Sequence, residues 1–226
     1  NGVGIPITND FNGKEQKGVG LYQFMNHRGK RSSAAYAFIE PQKNNPNLDL
    51  KLQTRVNKII IENNKAVGVE YINKKGQNLK LYANKEIILA SGSFITPKIL
   101  MLSGIGDKAE LIKHNIKCLA DLPGVGKNLI DHPECPIIAT TKGKYGYFKQ
   151  GEGWRMLKNG LQFLLFGSGP VNSTGVEAGA FINPINQNDL AYIQAFFVPS
   201  IYMNSDTIGV IKDDYGVSIT TVMTKP

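Results

Sequence analysis

Residues 86–106 read EIILASGSFITPKILMLSGIG, and this stretch limits the possible folds more than any other part of the chain. The continuous apolar run IILA, within EIILAS, predicts a strand that is covered on both faces, as in a parallel sheet. Thr96 and Pro97 predict the N-cap and first turn of a helix, which Gly104 ends in a left-handed conformation. Gly92 lies at the corner between strand and helix, where ligands of α/β sheets bind. The local pattern leaves open whether this corner packs or contacts a ligand.

The segments before this stretch predict a small antiparallel sheet. Segments 56–62, 66–72 and 78–83 are separated by the turn sequences NNK and NKKGQ, and apolar residues alternate in the last two of them. This pattern is typical of a three-stranded meander. LDLKLQ, residues 48–53, is a predicted strand and the nearest parallel partner for EIILAS. The meander would then connect two parallel strands, a position where a helix is more common.

The C-terminal part has a different pattern. PIIATT, VEAGAFI, AYIQAFFV and VSITTVMT predict strands, and WRMLKNGLQFLLF predicts an amphipathic helix that ends at Gly167. The helix carries an apolar stripe that we expect to face the core; it consists of Trp154, Leu157, Leu161, Leu164 and Leu165. Shorter helices are predicted at 32–39 and in KAELIKHN. The predicted fold class is α/β followed by α+β, with domains at 1–133 and 134–226.

Composition argues against several classes of partner. The net charge is +8, but the lysines are scattered through turns and form no basic stripe of the kind that tracks phosphates. We therefore expect no nucleic-acid partner. Cys118 and Cys135, like the three histidines, show no metal-ligand spacing, so no metal site is predicted. No apolar run has the length of a transmembrane helix, and no signal peptide is visible.

Three further features allow more than one interpretation from local chemistry. GIGDKA, residues 104–109, formally fits the dinucleotide pattern G-x-G-x-x-A, but its glycines follow a helix instead of opening one, which favours a helix stop. Glu177 lies among small apolar residues and faces either a cavity or solvent. Asp131 and His132 form either a polar site or a solvated loop.

Taken together, these segments resemble a known family. GSFITPKILMLSGIG resembles the second signature pattern of the glucose-methanol-choline (GMC) oxidoreductases at all fifteen positions. GKRSSAAYAFIEP, NLDLKLQTRVNKIIIENNKAVGVEY, LPGVGKNLIDH and VEAGAF resemble further segments of that family. The resemblance covers nearly the whole chain and is nearest to the choline and alcohol dehydrogenase branch.

The resemblance implies a fold and a cofactor. The fold is part of a FAD-binding Rossmann-like domain with an inserted antiparallel β-meander, followed by part of an antiparallel-sheet substrate domain. The positions that match FAD-contacting segments of the family are Val56, Ala90, Gly92, Ser93, Asn128, Asp131 and His132. Glu177 matches a carboxylate that faces the cationic head of the substrate in choline-oxidising relatives, and Val176 lies beside it. Relatives that act on neutral alcohols also resemble this segment.

Departures from the family define the predicted function. No Gly-x-Gly-x-x-Gly segment stands in a strand-turn-helix context, and no histidine matches the catalytic motif, so the expected catalytic histidine lies outside this chain. We therefore expect an internal fragment of a FAD-dependent enzyme that oxidises a choline-like or other primary alcohol to an aldehyde, inactive alone. Its partners are the alcohol and the rest of the parent polypeptide. The alternatives are a FAD-containing hydroxynitrile lyase and an inactive split subunit. The expected location is cytoplasmic, with membrane association of the parent protein as the alternative.

Overall fold

The computed structural model describes residues 4–27, 29–186, 189–202 and 214–225. The strands in chain order are β1 (Gly18–Leu21), β2 (Asn26–His27), β3 (Lys30–Arg31), β4 (Arg55–Glu62), β5 (Lys65–Ile72), β6 (Asn78–Tyr82), β7 (Ile105–Gly106), β8 (Ala120–Asp121), β9 (Glu134–Thr140), β10 (Ala178–Ile182), β11 (Ile193–Val198) and β12 (Gly216–Met223). The α-helices are α1 (Gly92–Leu102), α2 (Lys108–Lys113) and α3 (Gly153–Phe166). A π-helical turn at Ala35–Ile39 and 3₁₀ turns at Glu40–Gln42 and Pro170–Asn172 complete the helical segments of these residues.

The chain forms two compact units. The first unit combines Asn1–Lys43 with Asp131–Pro226, and the second unit is Asn44–Ile130. The division at 130/131 lies close to the predicted domain boundary, while residues 1–43 group with the C-terminal unit. The predicted domains at 1–133 and 134–226 stay a prediction about the organisation of the protein.

The first unit is built on a five-stranded antiparallel sheet with the order β1-β10-β11-β12-β9. Its four predicted strands, β9 to β12, are confirmed. One face carries the core, where the ring of Phe11 lies 5.2 Å from that of Phe181. In the same layer the side chains of Ser218 and Val222 are buried. Successive residues of a strand point to opposite faces of the sheet, so these buried side chains lie together on one face.

β1 is a strand that the sequence did not predict. Its GVGL sequence has no apolar alternation, yet it pairs with β10 along its whole length. The glycines explain the pairing, because a Cβ on Gly18 or Gly20 would meet the backbone oxygen of Pro6 or Thr8. The chain around residues 6–8 lies directly on the strand, and only glycine leaves room for it.

α3 has the predicted extent but the opposite orientation. Gly167 ends it at a φ of +60°, as expected. The apolar stripe faces solvent, with Leu164 80% exposed, whereas Asn159 is buried. The polar side is satisfied inside the unit, since Asn159 Nδ2 donates to the backbone oxygen of Gln150 at 2.9 Å. The expectation that the stripe packs into the core of this chain was therefore wrong.

The second unit contains the predicted meander. β4, β5 and β6 form an antiparallel sheet in that order, with a bulge after Val56. The strands predicted at 48–53 and 86–91 are wrong, because neither segment pairs with any described strand. Apolar content predicted burial, but a strand also requires a neighbour for its backbone hydrogen bonds. Leu52 and Ile88 are exposed instead.

α1 ends as predicted but begins earlier. Gly104, at a φ of +85°, follows its last residues. The helix begins at Gly92, so Thr96 is not the N-cap. Its hydroxyl instead accepts a hydrogen bond from the backbone N–H of Ser91 at 3.2 Å, which connects the residue before the helix to its second turn. Pro97 then lies in the second turn, where it has no N–H to donate to the helix.

α2 is the helix predicted in KAELIKHN. Asp107 caps it, and its carboxylate accepts from the backbone N–H of Ala109 at 2.9 Å. A short parallel pairing of β7 with β8 follows α1 and brings the 120–121 segment beside residues 105–106.

Candidate functional site

The corner at Gly92 is open. Gly92 has a φ of +84°, and a Cβ placed on it would meet nothing within 4 Å. Ala90 and Ser93 beside it are exposed. Ser91 provides no side-chain cap to α1, so the first N–H groups of this eleven-residue helix remain available at its positive end. Backbone N–H groups at a helix start can hold the phosphate oxygens of a dinucleotide.

Val56 lies on β4, the edge strand of the meander, and is half-buried. A buried serine ties this strand to α1. The backbone N–H of Ile59 donates to Ser103 Oγ at 2.8 Å, and that hydroxyl donates to the backbone oxygen of Ile99 at 2.6 Å. The elements that carry Val56 and Gly92 are therefore directly hydrogen-bonded to each other.

Asn128 also belongs to the second unit. It is exposed and has a φ of +58°, a left-handed conformation that asparagine tolerates better than most residues. Its loop is held by an ion pair of 2.6 Å between Lys127 Nζ and Asp107 Oδ2. The hydrogen bond of Lys127 lowers the pKa of the Asp107 carboxyl, and the capped N–H groups of α2 lower it further.

Asp131 and His132 belong to the first unit, and both are exposed. The backbone N–H of His132 donates to Asp131 Oδ1 at 2.8 Å. Of the residues predicted to contact FAD, the structure thus groups five in the second unit: Val56, Ala90, Gly92, Ser93 and Asn128.

Glu177 immediately precedes β10 in the first unit. Its backbone oxygen accepts from the N–H of Tyr22 at 2.9 Å, which fixes the main chain at this point. Its side chain is exposed, and Oε1 accepts from the hydroxyl of Tyr147 at 3.0 Å. Among the described residues, no lysine, arginine or histidine pairs with this carboxylate. It is therefore free to meet a cationic ligand.

Val176 lines a cavity of about 380 Å³ on the core side of the five-stranded sheet. Phe196 and Thr220 lie opposite each other on neighbouring strands and face it. In the part of the chain that the structure describes, the buried Thr220 hydroxyl has no hydrogen-bond partner. Buried polar groups are normally paired, so this hydroxyl can accept or donate to a polar group of a ligand. The cavity, with Glu134 also among its lining residues, is suited to a small molecule.

The sequence did not identify Phe196, Thr220, Glu134 or Tyr147 as candidates. The alternation of AYIQAFFV and VSITTVMT shows which residues share a face, but the register that sets Phe196 opposite Thr220 requires the structure. Tyr147 lies in a loop thirty residues before Glu177. No local pattern connects the two.

The described residues contain no group of three or more histidine, cysteine or acidic side chains that could hold a metal ion. Within the same residues, no helix is both long and apolar enough to cross a bilayer.

The chain is similar to known proteins along most of its length. Residues 1–134 match the family model described as GMC oxidoreductase. Human mitochondrial choline dehydrogenase is 36% identical over 217 residues, which covers 96% of this chain and 36% of that protein. An alcohol dehydrogenase (acceptor) from Pseudomonas putida is also 36% identical, over 87% of this chain and 36% of its own length.

Solved structures show the same fold. Formate oxidase from Aspergillus oryzae superposes with a TM-score of 0.84 at 25% identity, covering 99% of this chain and 43% of that one. Pyridoxine 4-oxidase from Mesorbium loti superposes with a TM-score of 0.80 at 21% identity, over 100% of this chain and 40% of its own. These likenesses confirm the predicted fold class, a partial Rossmann-like domain with part of an antiparallel-sheet domain. The chain spans 36% of the length of both curated relatives described above.

Proposed function

Because the chain belongs to the GMC oxidoreductase family, whose cofactor is FAD, we propose that it forms part of an enzyme that oxidises an alcohol to an aldehyde. The alcohol is choline-like or another primary alcohol. The observation that carries this proposal is the 36% identity to a choline dehydrogenase along 96% of the chain, since it includes both the Gly92 corner and Glu177.

The residues at the Gly92 corner fit FAD. The positive φ of Gly92 and the open space before it let a phosphate approach the backbone at the start of α1. We propose that Ala90, Gly92 and Ser93 border the cofactor, that Val56 meets it through the backbone of an edge strand, and that Asn128 contacts it from its loop. Asp131 and His132, in the first unit, stay predicted cofactor contacts. When bound, FAD supplies the acceptor for the hydride of the alcohol carbon.

Glu177 and Val176 are the proposed substrate residues. An exposed carboxylate without a cation partner attracts a quaternary ammonium head group, whose positive charge it would neutralise. Val176 contributes an apolar wall to the neighbouring cavity, which suits methyl groups. No residue of this chain is proposed as the catalytic base. The expected histidine belongs to another part of the enzyme.

We propose that the chain works within a longer polypeptide and is inactive alone. Two observations support this. The chain spans only 36% of the length of its choline dehydrogenase relative. In addition, α3 presents a continuous apolar stripe to solvent, and exposed patches of this kind mark interaction surfaces. The rest of the polypeptide would cover the stripe. A cytoplasmic location stays a prediction, and cell fractionation tests it against membrane association.

Anaerobic mixing of the full-length, FAD-loaded enzyme with choline and with neutral primary alcohols tests the function. We expect the oxidised flavin absorption band to bleach with at least one of these alcohols. The purified 226-residue chain serves as the control and should be colourless. A full-length enzyme that keeps its oxidised spectrum with every alcohol would contradict the proposal and favour the lyase.

A further inference from the structure

Tyr147 belongs to a set of side-chain contacts that ends at the carboxylate of Glu177. The backbone N–H of Gly175 donates to Ser173 Oγ at 3.0 Å. Burial raises the pKa of the Tyr147 phenol, and its interaction with the Ser173 side chain offsets part of that rise. The phenol donates to Glu177 Oε1 at 3.0 Å. The phenol O–H is therefore directed at the carboxylate.

The backbone around Tyr147 is fixed independently of this set. Its N–H donates to the backbone oxygen of Pro199 at 2.8 Å, and its own backbone oxygen accepts from the N–H of Gln150 at 3.0 Å. Gly146, at a φ of +88°, allows the close approach, because a Cβ there would clash with the same Pro199 oxygen. These backbone contacts in the loop between β9 and α3 therefore fix the position of the Tyr147 side chain.

Within the described part of the chain, no other side chain holds the carboxylate that accepts the hydrogen bond of the phenol. Its main chain is fixed through Tyr22, but among the described residues Tyr147 is the hydrogen-bond donor that holds the carboxylate itself. A hydrogen bond to an ionised group is stronger than one between neutral groups, so it favours one orientation of the side chain. With Oε1 engaged, Oε2 remains for a cation. Tyr147 also lines a cavity of about 430 Å³, which leaves the phenol accessible beside the exposed carboxylate.

We propose that Tyr147 is a positioning residue that orients Glu177 for the cationic head of a quaternary ammonium alcohol. The inference rests on the proposed function, because it assumes that Glu177 meets the substrate. Tyr147 contributes to the choice of a charged alcohol over a neutral one and leaves the chemical step unchanged.

The test compares Tyr147→Phe with the parent sequence in the full-length, FAD-loaded enzyme. The substrates are choline and its uncharged isostere 3,3-dimethylbutan-1-ol. We expect the KM for choline to rise about tenfold, the size of one hydrogen bond to a charged group. The kcat for choline and the KM for the neutral alcohol should stay the same. Tyr145→Phe is the matched control, since Tyr145 is an exposed tyrosine in the same loop and should change neither KM.

Glu177→Gln separates positioning from general structural damage. If Tyr147 acts through Glu177, the double variant should have the same KM for choline as Glu177→Gln alone. A rise in KM of equal size for both alcohols would show a merely structural role and overturn the inference. Additive effects of the two substitutions, or no change in Tyr147→Phe, would overturn it as well.

The proposed function fails separately. It fails if no alcohol bleaches the flavin of the parent enzyme. If other alcohols bleach it but choline and its isostere do not, the alcohol oxidation stands and the inference about Tyr147 is overturned. If the parent enzyme oxidises both with equal KM, the alcohol oxidation stands and the positioning of a cation-binding carboxylate is overturned.

The hydrogen bond itself can be followed in the 226-residue chain, without catalysis. Burial raises the pKa of the Tyr147 phenol, and the bond to Glu177 and the negative charge of that residue raise it further. Glu177→Gln should therefore lower this pKa, while burial keeps it above that of free tyrosine. NMR titration of ring-labelled tyrosine measures the change, with Tyr147→Phe identifying the resonance. An unchanged titration would overturn the inference.

Discussion

Replacing Ser103 by alanine tests the connection between β4 and α1, the two elements that carry Val56 and Gly92. Ser103 is 6% exposed and Ile59 7% exposed, so the bond between them is shielded from water. Ser103→Ala removes the acceptor of the Ile59 N–H and the donor to Ile99. The oxygen of Ile99 still accepts from the backbone N–H of residue 103, because the C-cap provides that bond. The orphaned group is therefore the Ile59 N–H alone.

The expected cost follows from that count. A buried N–H left without an acceptor destabilises the folded state by about 1–3 kcal/mol. We expect a loss of about 2 kcal/mol for the second unit, which corresponds to a roughly 30-fold increase in the population of its open form. Removing a single oxygen atom leaves a small cavity and adds little to this value.

Native-state hydrogen exchange is the appropriate assay, because the single tryptophan, Trp154, lies in α3 of the first unit. The slowest amides of β4 and α1 should exchange roughly 30-fold faster in Ser103→Ala. Amides of the five-stranded sheet should not change. Ser91→Ala is the control, since Ser91 is exposed and forms no side-chain cap. If Ser103→Ala and Ser91→Ala exchange at the same rate, the reasoning is refuted.

Substitutions at two further sites have effects on stability whose direction can be predicted. Gly167→Ala should destabilise α3 by about 1 kcal/mol, because Gly167 has a φ of +60° and no neighbouring atoms restrict a Cβ there. Gly160→Ala is the control within the same helix, and it should stabilise α3 because Gly160 has no positive φ. Equal thermal midpoints of the two variants would contradict both expectations. Asp107 has a pKa lowered first by Lys127, so its stabilisation is complete above its unfolded pKa and is lost as the pH falls through its folded pKa. Asp107→Asn should therefore weaken the fall in the free energy of unfolding between pH 5 and pH 2, as measured by urea titrations. The same fall in the variant and the parent would show that the carboxylate contributes nothing.

Local chemistry explains the features that the sequence predicted. The turn between β4 and β5 contains Asn63 and Asn64, both at positive φ, and asparagine tolerates that conformation. Gly104 and Gly167 end their helices for the same reason. Each of these signals lies within a few residues of the structure that it specifies. The meander, the helix ends and the C-terminal strands could therefore be predicted.

The predictions that were wrong concern features that depend on residues distant in the sequence. The stripe of α3 was visible in the sequence, but its direction depends on which side of the helix finds partners inside the unit. Arg155 donates to the hydroxyl of Tyr215, sixty residues away, and this contact helps turn the polar side inward. EIILAS was apolar enough for a buried strand, yet composition carries no information about a neighbouring strand. The contact of Tyr147 with Glu177 likewise depends on tertiary structure.

The outward stripe of α3 also has a consequence for the chain inside a cell. Molecular chaperones and proteases recognise unfolded proteins by their exposed leucines and aromatic rings, and the stripe presents Trp154, Leu157 and Leu164 while the chain is folded. Until the rest of the polypeptide covers the stripe, a correctly folded chain therefore exposes the same groups as an unfolded one. The yield of the enzyme in a cell will then depend on how quickly the stripe is covered as well as on folding stability.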